Sequence, residues 1–340
     1  TSGTTWRSKG AMLTHRNLAS NAVTLAALWR FTAADVLIHA LPVFHTHGLF
    51  VATNIVLATG GGMLFLPRLD ARLILSLMPR ATAMMGVPTF YTRLLKEPGL
   101  TREAAAGMRL FVSGSAPLLA ETHREWRART GHAILERYGM TETLITVSTR
   151  VDGQRRPGWV GLPLAHVETR LVENGKPLPH DGESVGDLHV RGPMMASGYL
   201  NRPDATAESW LPDGFFATGD VAVIDGDGMH RIVGRRATDL IKSGGFRIGA
   251  GEIETVLLAH PAVREVAVIG VPDDYLGQRI VAYVVGDQVA DTELIEFVAG
   301  ELSNHKRPRE IRFVESLPRN AMGKVQKKLL REQYAALFSS

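Results

Sequence analysis

The stretch LFVSGSAPLLAETHREWRARTGHAILERYGMTE, residues 110–142, contains one repeating unit of the fold. An apolar strand pattern at 110–112 leads into a helical pattern at 118–129, and a second strand pattern follows at 133–137. Strands and helices that alternate at this spacing predict parallel strands joined by crossover helices. Ligands of such sheets bind at the carboxyl ends of the strands. The segments that follow these two strands are therefore the first candidates for a binding site.

The same alternation extends back towards the start of the chain. Apolar spacing predicts, in order, helix 16–30, strand 36–38, helix 49–58, strand 63–66, helix 70–78, strand 82–87 and helix 89–96. Together with the first unit, this pattern predicts a doubly wound α/β layer. The segments expected at its ligand-binding edge are 42–48, 86–89, 113–117 and 138–142.

The pattern changes after this layer. From about 157 to 233 glycine, proline and aspartate turns separate short strands, which predicts a β-rich subdomain. A separate α/β unit follows, with helices at 252–259, 291–302 and from about 325, and strands at 264–270, 280–285 and 310–315. We therefore predict a larger domain at 1–234 and a smaller one at 235–340, linked at 234–239.

Composition limits the classes of function. The 340 residues are 45% hydrophobic and 21% charged, as in ordinary globular proteins, and length suggests about two domains. The absence of cysteine excludes disulfides, thiolate metal sites and cysteine nucleophiles. The net charge of +4 suits an anionic substrate and equally an ordinary solvated surface. No apolar run approaches the ~20 residues of a membrane span, and we expect no nucleic-acid partner.

The first ten residues, TSGTTWRSKG, combine hydroxyl side chains, glycine and Lys9. Such a segment can wrap a polyphosphate, although a solvated turn has the same composition. The lysine spacing is not that of a GxxxxGK[ST] loop. Because the chain does not begin with Met, we expect an N-terminal truncation that removes part of the larger domain and any targeting peptide.

Four further residues have chemistry suited to a nucleotide site. Thr141 can donate to a phosphate and Glu142 can ligate Mg²⁺, although this pair would also suit a helix start. Asp220, after a predicted aromatic strand, can accept ribose hydroxyls, with an Asx-turn as the alternative. Lys324 can neutralise charge that develops in a reaction, with a solvated lysine beside a basic terminal helix as the alternative. The small side chains of 113–117 leave room for a flat ring or form a tight turn.

Taken together, these motifs resemble the adenylate-forming superfamily (ANL) of acyl-CoA synthetases, adenylation domains and luciferases. The resemblance runs in order from Thr1 to about Leu330 and is strongest to malonyl-CoA synthetases. It is carried by LPVFHTHGLFVATN at 41–54, GVPTFYTRLL at 86–95, LFVSGSAPLLAETHREW at 110–126, LERYGMTET at 135–143 and LPRNAMGKVQKKLLRE at 317–332. It implies an acid–thiol ligase: a carboxylate attacks the α-phosphate of MgATP, releasing pyrophosphate, and the thiol of coenzyme A then displaces AMP.

The resemblance also implies a role for each matching residue. ATP would be bound by Thr1, Ser2, Gly3, Thr4, Thr5, Lys9, Ser115, Ala116, Pro117, Tyr138, Gly139, Met140, Asp220 and Arg235. Thr141 and Glu142 would act at the α-phosphate and at Mg²⁺. Lys324 would bridge phosphate and carboxylate in the first half-reaction only, because the hinged small domain then rotates. Ser243, Gly244 and Gly245 would line the pantetheine tunnel.

The choice of acid is expected to depend on the segments after the first and third strands. Arg93, with Ser113 and His47, would grip a second carboxylate, and His45 would lie near the reacting one. This favours malonate or methylmalonate, with a short or medium monocarboxylate as the alternative. An exposed helix arginine is the other interpretation of Arg93.

Three features of the sequence bear on the alternative functions. Trp6 stands where relatives have glycine, which leaves a catalytically impaired nucleotide-binding protein as an alternative. An amino-acid adenylation domain is disfavoured because Phe44-His45-Thr46-His47 has no early aspartate and no carrier module is seen in this chain. We expect a cytoplasmic enzyme.

Overall fold

The computed structural model describes residues 9–319 and 325–337. Thr1 to Thr5 and Lys324 lie outside these ranges, so their predicted roles stay predictions. The chain forms two compact units. The first contains Thr1–Ser184, Leu188–Thr218 and Val223–Ile232, and the second contains Val185–Asp187, Gly219–Ala222 and Val233–Ser340. The predicted boundary between 234 and 235 stays a prediction.

The first unit starts with alternating helices and strands. They are α1 (His15–Leu28), β1 (Val36–His39), α2 (Asn54–Thr59), β2 (Gly62–Phe65), α3 (Ala71–Leu77), β3 (Ala83–Gly86), α4 (Pro88–Leu95), β4 (Leu110–Ser113), α5 (Ala120–Thr130), β5 (Leu135–Met140), β6 (Leu144–Ser148) and β7 (Leu162–Pro163). A wide, π-helical segment at His47–Thr53 runs directly into α2. Such segments frequently occur at functional sites.

The strands of this layer are ordered β2-β1-β3-β4-β5-β6-β7. The first five are parallel, and β6 and β7 are antiparallel. The parallel order 2-1-3-4-5 is a doubly wound arrangement whose strand order reverses between β1 and β3. The predicted fold class is therefore confirmed, and the topology locates the ligand-binding edge beside β1 and β3.

Aromatic packing fixes helices on this sheet. Trp126 of α5 is fully buried and meets Tyr91 of α4 and Phe111 of β4 edge-on, each at 4.9 Å between ring centroids. Burial of three large rings in preferred edge-to-face contacts stabilises this layer strongly. It holds the segments that follow β3 and β4 on a rigid base.

The β-rich segment is more ordered than the sequence predicted. It contains β8 (Glu168–Glu173), β9 (Lys176–Pro177), β10 (Gly186–Arg191), α6 (Pro203–Ser209), β11 (Phe216–Ile224) and β12 (His230–Arg235). Its sheet has the order β12-β11-β10-β8-β9. Asp220 lies inside β11, so both its placement after a strand and the Asx-turn alternative were wrong. An uninterrupted run of buried residues from Asp220 to Ile224 keeps the strand going through Gly219.

The second unit has its own cores. It contains β13 (Leu240–Ser243), β14 (Phe246–Gly249), α7 (Ala250–Leu257), β15 (Val263–Asp273), β16 (Gly277–Gly286), α8 (Asp291–Glu301), β17 (Glu310–Phe313) and α9 (Lys327–Ala336). Its sheet is ordered β14-β13-β16-β15, and β17 pairs in parallel with β16. One apolar cluster joins this sheet to α7 and α8, and a separate cluster joins it to α9. None of the helices described in either unit is long and apolar enough to cross a bilayer.

Candidate nucleotide and acyl site

The parallel sheet aligns several predicted residues at one edge. Gly86 at the end of β3 pairs with Ser113 at the end of β4, and Ser113 pairs with Glu136 of β5. Because these strands are parallel, the segments that follow them emerge on the same side. The loop after β1 carries His45, helix α4 carries Arg93 and the loop after β4 begins at Gly114. The sheet therefore places the segments that carry the predicted acid-selecting residues at one edge.

His47 lies under the loop that follows β4. Its side chain is 3% exposed, and its Nδ1 is 3.4 Å from Ser115 Oγ. Burial, followed by the positive charge of Arg137, lowers the pKa of His47 well below its ordinary value. His47 is therefore neutral at physiological pH, while His45 two residues earlier is exposed.

The loop predicted to flank adenine has an unusual backbone. Ser115 has φ of +69°, a left-handed conformation that is uncommon outside glycine. Ser115, Ala116 and Pro117 are exposed, and Tyr138 and Gly139 of β5 are half-buried. The loop can therefore be a tight turn and still bind a ligand. Its left-handed residue lies at the edge of the sheet, where the small side chains of the loop are exposed to solvent.

Glu142 is the buried acid of the turn between β5 and β6. Its side chain is 3% exposed. Its Oε1 accepts a hydrogen bond of 2.8 Å from the Tyr199 hydroxyl. Its Oε2 is buried and has no hydrogen-bond partner among the described residues. One oxygen is therefore fixed by a hydrogen bond, and the other has no partner among the described residues.

Tyr199 connects this acid to the basic end of the opening loop. The Lys9 ammonium lies 4.3 Å from the centroid of the Tyr199 ring. The segment beside Lys9 is fixed too, because Ala11 and Tyr199 form an antiparallel bridge and Leu200 N–H donates to the Gly10 carbonyl. Lys9 and Glu142, which were predicted from distant motifs, therefore contact the same tyrosine. Neither the opening loop nor the motif around Glu142 pointed to Tyr199.

The donor set fits Mg²⁺. Among residues 9–319 and 325–337, no group of three or more histidine, aspartate and glutamate side chains is arranged to hold a metal ion. Mg²⁺ commonly takes one or two protein carboxylates and completes its coordination with phosphate oxygens and water. The unpartnered, buried Oε2 of Glu142 suits that role.

The second unit holds the predicted ribose residues together. Arg235 Nε lies 2.8 Å from Asp220 Oδ1, and the neighbouring Arg236 pairs with Asp187. Asp220 is 6% exposed, while about half of the Arg235 side chain is exposed. An arginine on one oxygen fixes the orientation of the carboxylate. The ribose-binding role of Asp220 and the ATP-binding role of Arg235 stay predictions.

The predicted CoA segment forms a tight hairpin. Ser243 pairs with Phe246, and Gly244 and Gly245 between them have φ of +58° and +83°. Two successive positive φ values at the tip are those of a type I′ turn, which favours glycine. The turn itself therefore accounts for both glycines, and contact with pantetheine stays a prediction.

Arg93 does not occupy the buried position that its predicted role favoured. Its side chain is exposed on α4, whose buried face is formed by Phe90, Tyr91, Leu94 and Leu95. The 3.6-residue repeat turns Arg93 away from that face. Another arginine of this unit, Arg137, is buried directly beside Gly114.

Comparison with known proteins identifies the family. Residues 1–200 match the family described as AMP-binding enzyme, and residues 252–324 match its C-terminal domain family. The chain belongs to the AMP-binding enzyme family, the adenylate-forming class that its motifs resemble.

Three related proteins show where in the family the chain lies. The mitochondrial malonate–CoA ligase ACSF3 of Mus musculus is 40% identical over 370 residues, which cover 98% of this chain and 63% of that protein. The crystal structure of ATP-bound MatB from Rhodopseudomonas palustris is 53% identical with a TM-score of 0.91, covering 100% of this chain and 68% of that one. A malonyl-CoA ligase ternary product complex with methylmalonyl-CoA and AMP is 50% identical with a TM-score of 0.67, covering 94% and 70%. The chain thus spans under two thirds of the length of the curated relative.

Proposed function

We propose that this chain carries out ATP-dependent synthesis of an acyl-CoA from malonate or methylmalonate. The observation that carries the proposal is that Lys9 and Glu142 both contact Tyr199, because an ammonium and a carboxylate near one another would suit a phosphate chain and its metal ion. The names of the related ligases support the substrates, ATP and coenzyme A.

In the first half-reaction, a substrate carboxylate oxygen attacks the α-phosphorus of ATP, and the bond to pyrophosphate breaks. Such a transfer needs positioning and neutralisation of charge more than covalent help. Lys9 would neutralise the leaving phosphates, and Thr141 would donate to the α-phosphate. Glu142, through Oε2, would hold Mg²⁺, which supplies positive charge to the phosphate oxygens when bound.

The other residues of this proposal orient the nucleotide and the acid. Tyr138 and the 115–117 segment would flank adenine, and Asp220, fixed by Arg235, would accept the ribose hydroxyls. Because His47 is neutral, it would line the acyl pocket and contribute hydrogen bonds instead of charge. In the second half-reaction the thiol of coenzyme A attacks the acyl carbon and AMP leaves.

The decisive experiment supplies ATP, Mg²⁺ and coenzyme A with a panel of acids and identifies the thioesters by mass. We expect malonyl-CoA and methylmalonyl-CoA, one AMP per thioester, and an acyl-AMP intermediate when coenzyme A is omitted. Absence of acyl-AMP with every acid would refute the function. Preference for acetate or propionate would refute only the choice of substrate.

We also propose a cytoplasmic location. The mouse relative is named as mitochondrial, so the compartment of this protein needs its own measurement. A tagged copy at the native locus, compared with marker proteins in cell fractions, tests this directly. Recovery with a membrane or organelle fraction would refute it.

A further inference from the structure

Helix α1 carries a polar amide on its buried face. Asn21 is 2% exposed and shares that face with Ala22, Leu25 and Ala26. Asparagine is a poor helix former, and burial of an amide is unfavourable unless new hydrogen bonds replace those to water. An apolar residue at this position would suit the helix better, so the amide calls for a specific explanation.

The partner of Asn21 is the backbone of β6. Its Nδ2 donates to the Ile145 carbonyl at 2.7 Å, and its Oδ1 accepts from the Ile145 N–H at 3.4 Å. One side chain can bind both backbone groups because the asparagine amide carries donors and an acceptor on the same planar group. Asn21 therefore fixes α1 to a single residue of β6 that is 124 positions away in the sequence.

The residue just before Ile145 has a strained backbone. Leu144 has φ of +50°, a left-handed conformation that is unfavourable for a bulky side chain. Gly139, the β5 partner of Ile145, packs tightly on it, because a Cβ on Gly139 would lie 1.9 Å from the Leu144 carbonyl oxygen. Such strain persists only where the surrounding structure holds it, and it clusters at functional sites. Asn21 holds the residue that follows the strained one.

The strained turn, residues 141–143, carries both residues proposed to act at the α-phosphate and at Mg²⁺. It joins β5, which ends at Met140, to β6, which begins at Leu144. Glu142 lies at its centre, so the direction of its carboxylate depends on where the two strand ends are held. Asn21 holds the end that belongs to β6.

Backbone hydrogen bonds connect the same turn to residues 9–12, which include the predicted phosphate-binding lysine. The Ala196 N–H donates to the Glu142 carbonyl at 2.7 Å, and the Ser197 N–H donates to the Met12 carbonyl at 2.9 Å. Residues 9–12 lead into α1, whose buried amide returns to β6. Two routes therefore connect the turn to the lysine segment, and the route through α1 depends on a side chain that can be replaced.

We propose that Asn21 is a positioning residue, which holds the turn of Glu142 where that carboxylate and Lys9 can act on one magnesium-bound phosphate chain. The proposal rests on the proposed function and deepens it. Asn21 is buried between a helix and a strand, so it acts through the backbone of β6 and not by contact with the nucleotide. Replacement of a residue that orients a metal ligand commonly lowers metal affinity or activity about 10- to 100-fold.

The test replaces the amide by an apolar group of similar size, Asn21→Leu, in the full protein. Calorimetric titration gives the Kd for ATP with and without Mg²⁺, and pyrophosphate release gives the Mg²⁺ concentration for half-maximal rate. We expect Mg²⁺ to tighten ATP binding about tenfold less in the variant, and the half-maximal concentration to rise about tenfold or more. The KM for malonate should change less than about threefold, because the metal ligand and not the acid is displaced. An unaltered magnesium dependence would overturn the proposal.

Ser148→Ala is the matched control. Trp29 Nε1 donates to Ser148 Oγ at 3.0 Å, which is a second buried side-chain hydrogen bond between this part of the chain and β6. Ser148 is the last residue of β6, at the end remote from Glu142. Its replacement should lower Tm and leave the magnesium dependence unchanged. Equal shifts of the magnesium dependence in Ser148→Ala and Asn21→Leu would overturn the proposal, because any loosening of the helix on the strand would then have the same effect.

Asn21→Ala covers the case in which Asn21→Leu does not fold. It removes the amide without adding bulk, and alanine is the best helix former. It should show the same loss of magnesium-dependent ATP binding. A folded Asn21→Ala protein with the magnesium dependence of the unmodified protein would overturn the proposal. Failure of the unmodified protein to form any acyl-AMP would instead count against the proposed function, while the ATP titrations would still test Asn21.

Discussion

Glu142 shows how one residue divides its two oxygens between structure and function. Oε1 accepts from Tyr199, whereas Oε2 has no partner in the described residues. Removing the Tyr199 hydroxyl would leave both oxygens of a buried carboxylate unpaired. The carboxylate would then be free to turn away from the direction that suits Mg²⁺. Tyr199 therefore has a positioning role that motif reading did not reveal.

We predict that Tyr199→Phe lowers stability by about 1–3 kcal/mol, the cost of leaving a buried acceptor unsatisfied. We also expect the Mg²⁺ concentration needed for half-maximal pyrophosphate release to rise at least several-fold. Urea unfolding and a magnesium titration measure the two effects. Tyr275→Phe, which removes the hydroxyl of a tyrosine that is 93% exposed, is the control and should change neither. An unaltered magnesium dependence in Tyr199→Phe would show that the contact is only structural.

Glu136 makes stability depend on pH in an unusual direction. Burial raises its pKa to about 8 from 4.5, although a hydrogen bond from Gly158 N–H opposes the shift. Between these values the folded state holds a proton that the unfolded state has lost. Stability therefore falls as pH rises from 4.5 to about 8.

We predict that Glu136→Gln removes this loss, because the amide stays neutral at every pH. The difference in unfolding free energy between variant and unmodified protein should grow by up to about 1.4 kcal/mol per pH unit across that window. Urea unfolding at pH 5, 6.5 and 8 measures it, with Glu125→Gln on α5 as a control at an exposed glutamate. A difference that does not vary with pH would contradict the assignment.

For single residues, the sequence predicted which residues belong to the candidate site better than it predicted their contacts. Glu142 and Lys9 were found because their motifs have a characteristic order along the chain. Arg137 lies inside one of those motifs but was not singled out, because burial is a property of the folded chain. Arg93 looked suitable by chain position, yet only its helical phase shows that it faces solvent.

Among the elements, α9 is attached to the segment that carries the linker. Lys327, at the start of α9, lies 2.6 Å from Asp239 Oδ1 and 2.7 Å from Glu254 Oε1 of α7. Burial alone would lower the pKa of Lys327, but the two carboxylates raise it. Burial would raise the pKa of Asp239, but Lys327 and hydrogen bonds lower it. Asp239 also accepts from the Arg235 backbone N–H. A single ammonium thus connects two helices and the linker.

We predict that Lys327→Met destabilises the second unit by about 3–5 kcal/mol, since it removes the shared counterion of two largely buried carboxylates. The loss should shrink in acid, as Asp239 becomes protonated below its ordinary range. Differential scanning calorimetry at pH 7 and at pH 3, which lies below the ordinary Asp pKa of 3.8, measures both effects. Lys328→Met provides a neighbouring comparison, because Lys328 is 74% exposed and its 3.7 Å contact to Glu332 is worth at most about 0.5 kcal/mol. Equal effects of the two variants would show that the buried triad contributes nothing special.

A helix or strand was predicted well where its hydrophobic pattern is regular. Helices and parallel strands of the first layer were predicted within a few residues, because buried faces impose a strict period. The hairpin of β13 and β14 was missed, since two short strands around Gly244-Gly245 have little period to detect. The strand at residues 216–224 was predicted to end before Asp220, but it continues through Gly219.

For the whole molecule, the proposed chemistry draws on residues from distant parts of the chain. Lys9 and Glu142 belong to the first unit, whereas Lys324 belongs to the stretch of the second unit between Arg319 and Val325. These two flanking residues form an antiparallel bridge, and Gln326 N–H donates 2.8 Å to the Pro318 carbonyl. The ends of the lysine segment are therefore anchored on the second unit. The proposed mechanism assigns Lys324 to the first half-reaction only.

This division of labour predicts a selective defect. Lys324→Ala should abolish malonate-dependent pyrophosphate release, because the charge that joins the α-phosphate to the attacking carboxylate is gone. It should spare thioester formation from supplied malonyl-AMP and coenzyme A, since that step does not use the lysine. Lys328→Ala, close to it in sequence and exposed, should leave both rates within about twofold, as for a surface substitution far from the chemistry. Equal loss of both half-reactions in Lys324→Ala would argue instead that the lysine stabilises the fold or acts throughout, and that no rotation is needed.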